Sequence, residues 1–146
     1  KAKGLKFGKI YKISNKVFNY KNKSITEKRI ISEIKNKKIE LICLAGFMKI
    51  LSKNFIKNFK GKILNIHPSI LPKYKGLHTH QRAILNNEKY SGCTVHFVNS
   101  KLDSGKIILQ KKVKINKGET AVSLAKKILI QEHKLYPKAI SKVFNL

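Results

Sequence analysis

Two short apolar runs, IELICLAG (39–46) and GKILNI (61–66), do most to narrow what this chain can become. Unbroken apolarity over so few residues is expected of strands covered on both faces, and Gly46 ends the first. Between them lies LSKNFIKNF (51–59), a short helical pattern with Ser52 as its expected cap. Strand, helix, strand is the order of a parallel pair, because parallel strands need a crossover that antiparallel ones do not.

The flanking segments extend this scheme. LKFGKIYKI (5–13) alternates apolar and polar residues and predicts a strand. SITEKRIISEIKNKK (24–38) predicts a helix, with Ser24 and Glu27 at capping-box spacing and Ile25, Ile30, Ile31 and Ile34 as its stripe. GLHTHQRAILNN (76–87) predicts a helix. GCTVHFVN (92–99) and KIILQKKVKI (106–115) predict strands joined by the LDSGK turn, a hairpin in pattern. Residues 119–144 are helical in pattern, with Pro137 expected to break or restart the helix. The whole is an α/β domain whose sheet is parallel at first and antiparallel toward its end.

A formal net charge of +26 raises the question of a nucleic-acid partner, since clustered Lys and Arg neutralise phosphates. The lysines are instead spread along the chain, and only Arg29 and Arg82 among the basic residues are not lysine. There is no Trp and no aromatic-basic interleaving for base stacking. The accompanying Ile and Asn richness is what an AT-rich coding sequence produces. No nucleic-acid partner is therefore expected, although such a field helps to draw in an anionic small substrate. No apolar run can span a bilayer, and no basic-then-apolar leader opens the sequence, so no membrane partner is expected. Cys43 and Cys93 share no ligand spacing, and Cys43 in its apolar run is expected to pack as a small hydrophobe. Together these point to a reducing, cytoplasmic setting.

Chemistry concentrates where the second apolar run ends. Asn65 and His67 are two apart, so on an extended backbone both point the same way. An amide and an imidazole on one spot can hold a carbonyl oxygen and move a proton beside it. Equally, Asn65 can cap a turn and His67 can be a surface residue, and spacing does not choose. Asp103 in LDSG is either a turn former or the partner that orients a histidine. His78 and His80 do not share a helical face and no Cys cluster accompanies them, so no metal is expected. Gly-rich phosphate loops and G-x-S-x-G elbows are absent from the sequence.

LAGFMKIL, NIHPSILPKYKGLHTHQRA, TVHFVNSKLDSGKIILQ and QEHKLYP, in this order and at these separations, resemble the phosphoribosylglycinamide (glycinamide ribonucleotide) formyltransferase family. The resemblance runs from about residue 2 to the C-terminus and is densest over 40–137. It implies a three-layer Rossmann-like formyltransferase sheet, mostly parallel with an antiparallel C-terminal hairpin, as a single domain over 1–146. It also implies transfer of the formyl group of 10-formyltetrahydrofolate, as co-substrate, to the amine of glycinamide ribonucleotide in purine synthesis. Asn65 would hold the formyl oxygen, His67 would assist proton transfer and Asp103 would stabilise the protonated His67. Thr94 and His96 would support them from behind. Met48, Lys49, Ile50 and Leu51 would line the folate site, with Asn99, Ser100, Lys101 and Leu102 gripping the pterin and Lys23 reaching the glutamate tail. Gln131 and Glu132 would meet the ribonucleotide.

The related methionyl-tRNA formyltransferases and formyltetrahydrofolate hydrolases share the N-x-H and the later Asp, but they match HPS-ILP-KYKG-LHTH less well. The family also begins with a strand and a Gly-Ser-rich loop that cradles phosphate at a helix N-terminus. No such segment follows Lys1, so the expectation is a piece that keeps the folate half and the trio but binds ribonucleotide poorly. Nothing in the sequence sets the oligomeric state.

Overall fold

A computed structural model describes residues 4–146 of the chain. They fall into two compact units, one ending at Lys38 and the other running from Ile39 to Leu146. The first unit holds α1 (Gly4–Ile10) and α2 (Lys23–Asn36). The strand expected over 5–13 is thus a helix followed by a turn. Its alternation fails after Phe7, and Phe7, Ile10 and Tyr11 instead stand at helical spacing, closed by a Tyr11 N–H to Phe7 carbonyl bond of 2.9 Å. The cap of α2 is Asn22 rather than Ser24, because the Asn22 side-chain oxygen accepts the Ile25 N–H at 3.1 Å. Ile25 accordingly lies 56% exposed, outside the stripe expected of it, and Thr26 and Glu27 are the buried pair.

In the second unit, β1 (Leu41–Leu44), α3 (Lys53–Asn58) and β2 (Lys62–His67) form the expected strand–helix–strand, with β1 and β2 parallel. Ser52 caps α3 by accepting the Phe55 N–H at 3.0 Å. Then come α4 (Thr79–Leu85), β3 (Tyr90–Phe97), β4 (Ile107–Lys114) and α5 (Ala121–Phe144). The sheet order is β1-β2-β3-β4. β3 pairs antiparallel with β2 as well as with β4. Antiparallel pairing therefore starts one strand before the hairpin, and among the described residues one pair is parallel.

β1 is less covered than a continuous apolar run suggests. It stands at the sheet edge, its residues are half-buried, and Cys43 is exposed rather than packed inside. The core lies further across, where Leu64, Val95, Leu124 and Ile128 are fully buried between β2, β3 and α5. α5 continues through Pro137 without a break. A proline inside a helix costs about 3 kcal/mol. Here Leu135 and Ala139 on either side are both buried and keep the two halves in line. The Tyr136 hydroxyl adds a tie, sharing its proton between the carbonyls of Leu44 at 2.9 Å and Leu64 at 3.0 Å.

Candidate active site

The register of β2 against β3 sets His96 opposite Asn65 and Thr94 opposite His67. Directly opposed residues share a face, so all four side chains stand on one side of the sheet. A register irregularity between Val95 and His96 lies beside this group, as bulges near functional groups often do. His96 Nδ1 donates to the Phe97 carbonyl at 2.7 Å. In the neutral ring Nε2 can then only accept, and Asn65 Nδ2 lies 3.3 Å from it. That fixes the Asn65 amide with its nitrogen toward His96. One N–H of Nδ2 is committed there, and the second is left for a ligand.

His67 is buried at the end of β2. Its Nε2 donates to the Tyr74 carbonyl at 2.9 Å, and its Nδ1 lies 3.4 Å from Asp103 Oδ2. Asp103, the one aspartate in the chain, comes from the turn between β3 and β4. Its φ of 43° lies in the left-handed region, which costs a non-glycine residue about 1–2 kcal/mol. The Gly76 N–H, donated to Oδ2 at 2.9 Å, holds it in place, and His96 Nε2 lies 3.7 Å from Oδ1. Burial pushes the Asp103 carboxyl up, but the His96 ring, the Gly76 N–H and the neighbouring His67 outweigh it and hold the carboxyl below its ordinary value. Asn65, His67, His96 and Asp103 are therefore one connected group.

A cleft of about 520 Å³ opens on this group. Asn65, His67 and Asp103 lie along its wall, with Met48, Ile50 and Leu102 as apolar lining. Met48 and Ile50 are 71% and 55% exposed, open apolar surface of the sort that ligands cover. A smaller cavity of about 70 Å³ adjoins it and is lined by Leu51, His96, Asn99 and Lys101 as well as by Asn65 and Asp103. Lys49 reaches both cavities. Glu132 of α5 lines the larger one, and burial pushes its carboxyl up against the opposing pull of His133. Gln131 and Ser100 line neither cavity. Lys23 is exposed at the first residue of α2, in the N-terminal unit. Thr94 is fully buried and bonds to the loop after His67 rather than to the trio. His96 touches the trio directly, closer than the supporting place expected for it.

Several contributors had no sequence signal, because they are backbone groups: the Tyr74 carbonyl and the Gly76 N–H. His80 does have one, in the GLHTH segment, where its spacing from His78 argues only against a metal. It lines the cleft, and its Nδ1 is buried with no hydrogen-bond partner among the described residues. Burial, and then the nearby His67, push its pKa down. No group of three or more His, Cys, Asp or Glu among the described residues is placed to hold a metal ion. Among the same residues, no helix is long and apolar enough to cross a membrane.

The sequence pattern of the family described as Formyl transferase matches residues 2–140. The chain belongs to the formyl transferase family. This formyl transferase chain is 44% identical over 115 residues to the phosphoribosylglycinamide formyltransferase of Escherichia coli (strain K12), covering 79% of itself and 54% of that protein. It is 42% identical over 124 residues to the trifunctional purine biosynthetic protein adenosine-3 of Homo sapiens, covering 85% of itself and 12% of that protein. Its fold is similar to the crystal structure of phosphoribosylglycinamide formyltransferase from Brucella melitensis, with a TM-score of 0.90 at 43% identity, over 98% of this chain and 74% of that one. The chain thus spans about half the length of its Escherichia coli relative and about an eighth of the human one.

Proposed function

We propose that this formyl transferase moves the formyl group of 10-formyltetrahydrofolate to the amine of glycinamide ribonucleotide, a cytoplasmic step of purine synthesis. What supports this most directly is the convergence of an uncommitted Asn65 N–H, His67 and Asp103 on one cleft wall. The amine nitrogen attacks the formyl carbon, a C–N bond forms, and the carbonyl oxygen becomes an oxyanion beside Asn65. A single preorganised donor of this kind is worth about 3 kcal/mol. The C–N bond to the folate then breaks. His67 gives its Nε2 proton to the departing folate nitrogen and takes up the proton lost by the amine in its place, while Asp103 faces the ring at Nδ1. His67 Nε2 bonds to the Tyr74 carbonyl here, and it exchanges that partner for the substrate during the transfer.

The apolar side chains of Met48, Ile50, Leu51 and Leu102 suit the flat pterin and benzoyl parts of the folate. The backbone of Asn99, Ser100, Lys101 and Leu102 supplies polar contacts to the pterin, and Lys23 meets the glutamate tail. Glu132, with Gln131 beside it, takes the ribonucleotide. The test is a formyl-transfer assay that offers glycinamide ribonucleotide, initiator tRNA or water as acceptor. Transfer to the ribonucleotide, lowered about 100-fold or more in Asn65→Ala and in His67→Ala, is the expected result. Preference for tRNA or water, or full activity in either variant, would sink the proposal.

A further inference from the structure

The register of the sheet lines up three residues in one row: His67 on β2, Thr94 on β3 and Gln110 on β4. Gln110 lies outside both cavities and outside the catalytic group. We propose that Gln110 is a positioning residue for the formyl transfer, acting through the loop 68–76 to hold His67. This rests on the reading of His67 given above.

The Gln110 side-chain amide has two N–H groups, and both are used. One goes to the Leu71 carbonyl at 2.9 Å and one to Thr94 Oγ1 at 2.9 Å. Thr94 Oγ1 also accepts the Leu71 N–H at 3.1 Å. With both lone pairs taken, the hydroxyl proton has one direction left, and it is donated to the Ser69 carbonyl at 2.6 Å. Ser69 in turn donates its hydroxyl to the Lys73 carbonyl at 2.6 Å, one residue before Tyr74. Tyr74 closes the chain by accepting His67 Nε2–H at 2.9 Å. The links are hydrogen bonds joined through the backbone of Ser69 and the Lys73–Tyr74 peptide, and Thr94 and Ser69 are almost wholly buried.

Removal of the Gln110 donors leaves the carbonyl of buried Leu71 and one lone pair of buried Thr94 without the partner they have, a state folded chains avoid. The Thr94 hydroxyl then has a choice of orientations, Ser69 loses its fixed partner, and the Tyr74 carbonyl no longer has one position. The consequence falls on the nitrogen of His67 that exchanges the proton, not on the surfaces that bind either substrate.

The test uses Gln110→Met, which keeps the length of the side chain and removes its donors. Ring nitrogen NMR of His67 reads which nitrogen carries the proton, and steady-state kinetics run alongside. Expected are an altered His67 signal pattern with less proton density at Nε2, and kcat about tenfold lower with both KM values within about twofold. Lys112→Gln, exposed on the same strand and, among the described residues, making no hydrogen bond to Thr94 or to the loop 68–76, serves as the control and should change neither reading. Unchanged His67 signals in folded Gln110→Met overturn the proposal. So does an activity loss that merely follows the loss of folded protein. Should Gln110→Met fail to fold, Ser69→Ala cuts the same chain nearer His67, and unchanged signals there overturn it equally. If the unsubstituted chain transfers no formyl group while the His67 signals still move, the reaction assignment fails and the coupling of Gln110 to His67 stands.

Discussion

Asn65 donates an N–H to the ring of His96 from directly across the β2–β3 pair, and the carbonyl of Phe97 decides that it does so. The Phe97 carbonyl takes the only proton of the neutral His96 ring, so Nε2 must accept. His96→Leu should therefore free the Asn65 amide to rotate and lower kcat about tenfold. Asn65→Ala, which removes the donor itself, should lower it by about 10²–10³. Formyl-transfer kinetics on both variants check the order of these losses; equal losses would mean that His96 does more than orient Asn65.

His67 and Asp103 should behave as a unit. His67→Ala is expected to cost about 10²–10⁴ in kcat, the usual range for a positioned acid-base group. Asp103→Asn should cost a comparable factor, because an amide carries no negative charge to stabilise the protonated His67 ring. The double variant should be little worse than the poorer single one, as groups with one task are not additive. A double-mutant cycle in kcat measures this.

Stability should decline toward acid in two windows. The folded-state pKa of His80 lies below its ordinary 6.5, so the unfolded ring takes up a proton first, and stability falls as pH drops below that value. Asp103 is held below its ordinary 3.8, so its contribution is complete above that value and disappears as pH falls through the folded-state one. Glu132, raised above its ordinary 4.5, works the opposite way, its contribution disappearing as pH rises through the raised value. Thermal midpoints measured across pH should show the upper decline vanish in His80→Gln and the lower one in Asp103→Asn.

The start of α5 offers a test of stability away from the chemistry. Thr120 and Ser123 form a reciprocal capping box, with the Ser123 N–H to Thr120 Oγ1 at 3.1 Å and the Thr120 N–H to Ser123 Oγ at 3.1 Å. Thr120→Ala should cost about 1 kcal/mol. For a chain of this size that corresponds to about 3 °C in thermal midpoint, with kcat unchanged. Calorimetry beside the activity assay checks both halves.

Much of the second unit was legible in the sequence because its signals were local. Ser52 as a cap, the apolar 61–66 strand and the two hairpin strands each follow from residues near one another in the chain. The outcome differed where two local candidates competed or where a neighbour in space decided it. Asn22 outcompeted Ser24 for a cap because it reaches Ile25. Pro137 stayed inside a helix because buried residues flank it on both sides. The face shared by Asn65 and His67 was visible from their spacing. The partners of that face were not: His96 and Gln110 arrive through register, and Tyr74 and Gly76 contribute backbone atoms that any residue would carry.

Gly105 stands against the same Phe97 carbonyl: a Cβ placed there would lie 1.6 Å from that oxygen and 3.5 Å from His96 Nδ1. Even alanine would have to push the carbonyl aside. The imidazole would then lose the acceptor that sets its tautomer, and with it the reason for the Asn65 amide to face one way. One added methyl group at Gly105 can thus reverse an amide two strands away. The absence of a side chain at that position is as much a part of the chemistry as the side chains themselves.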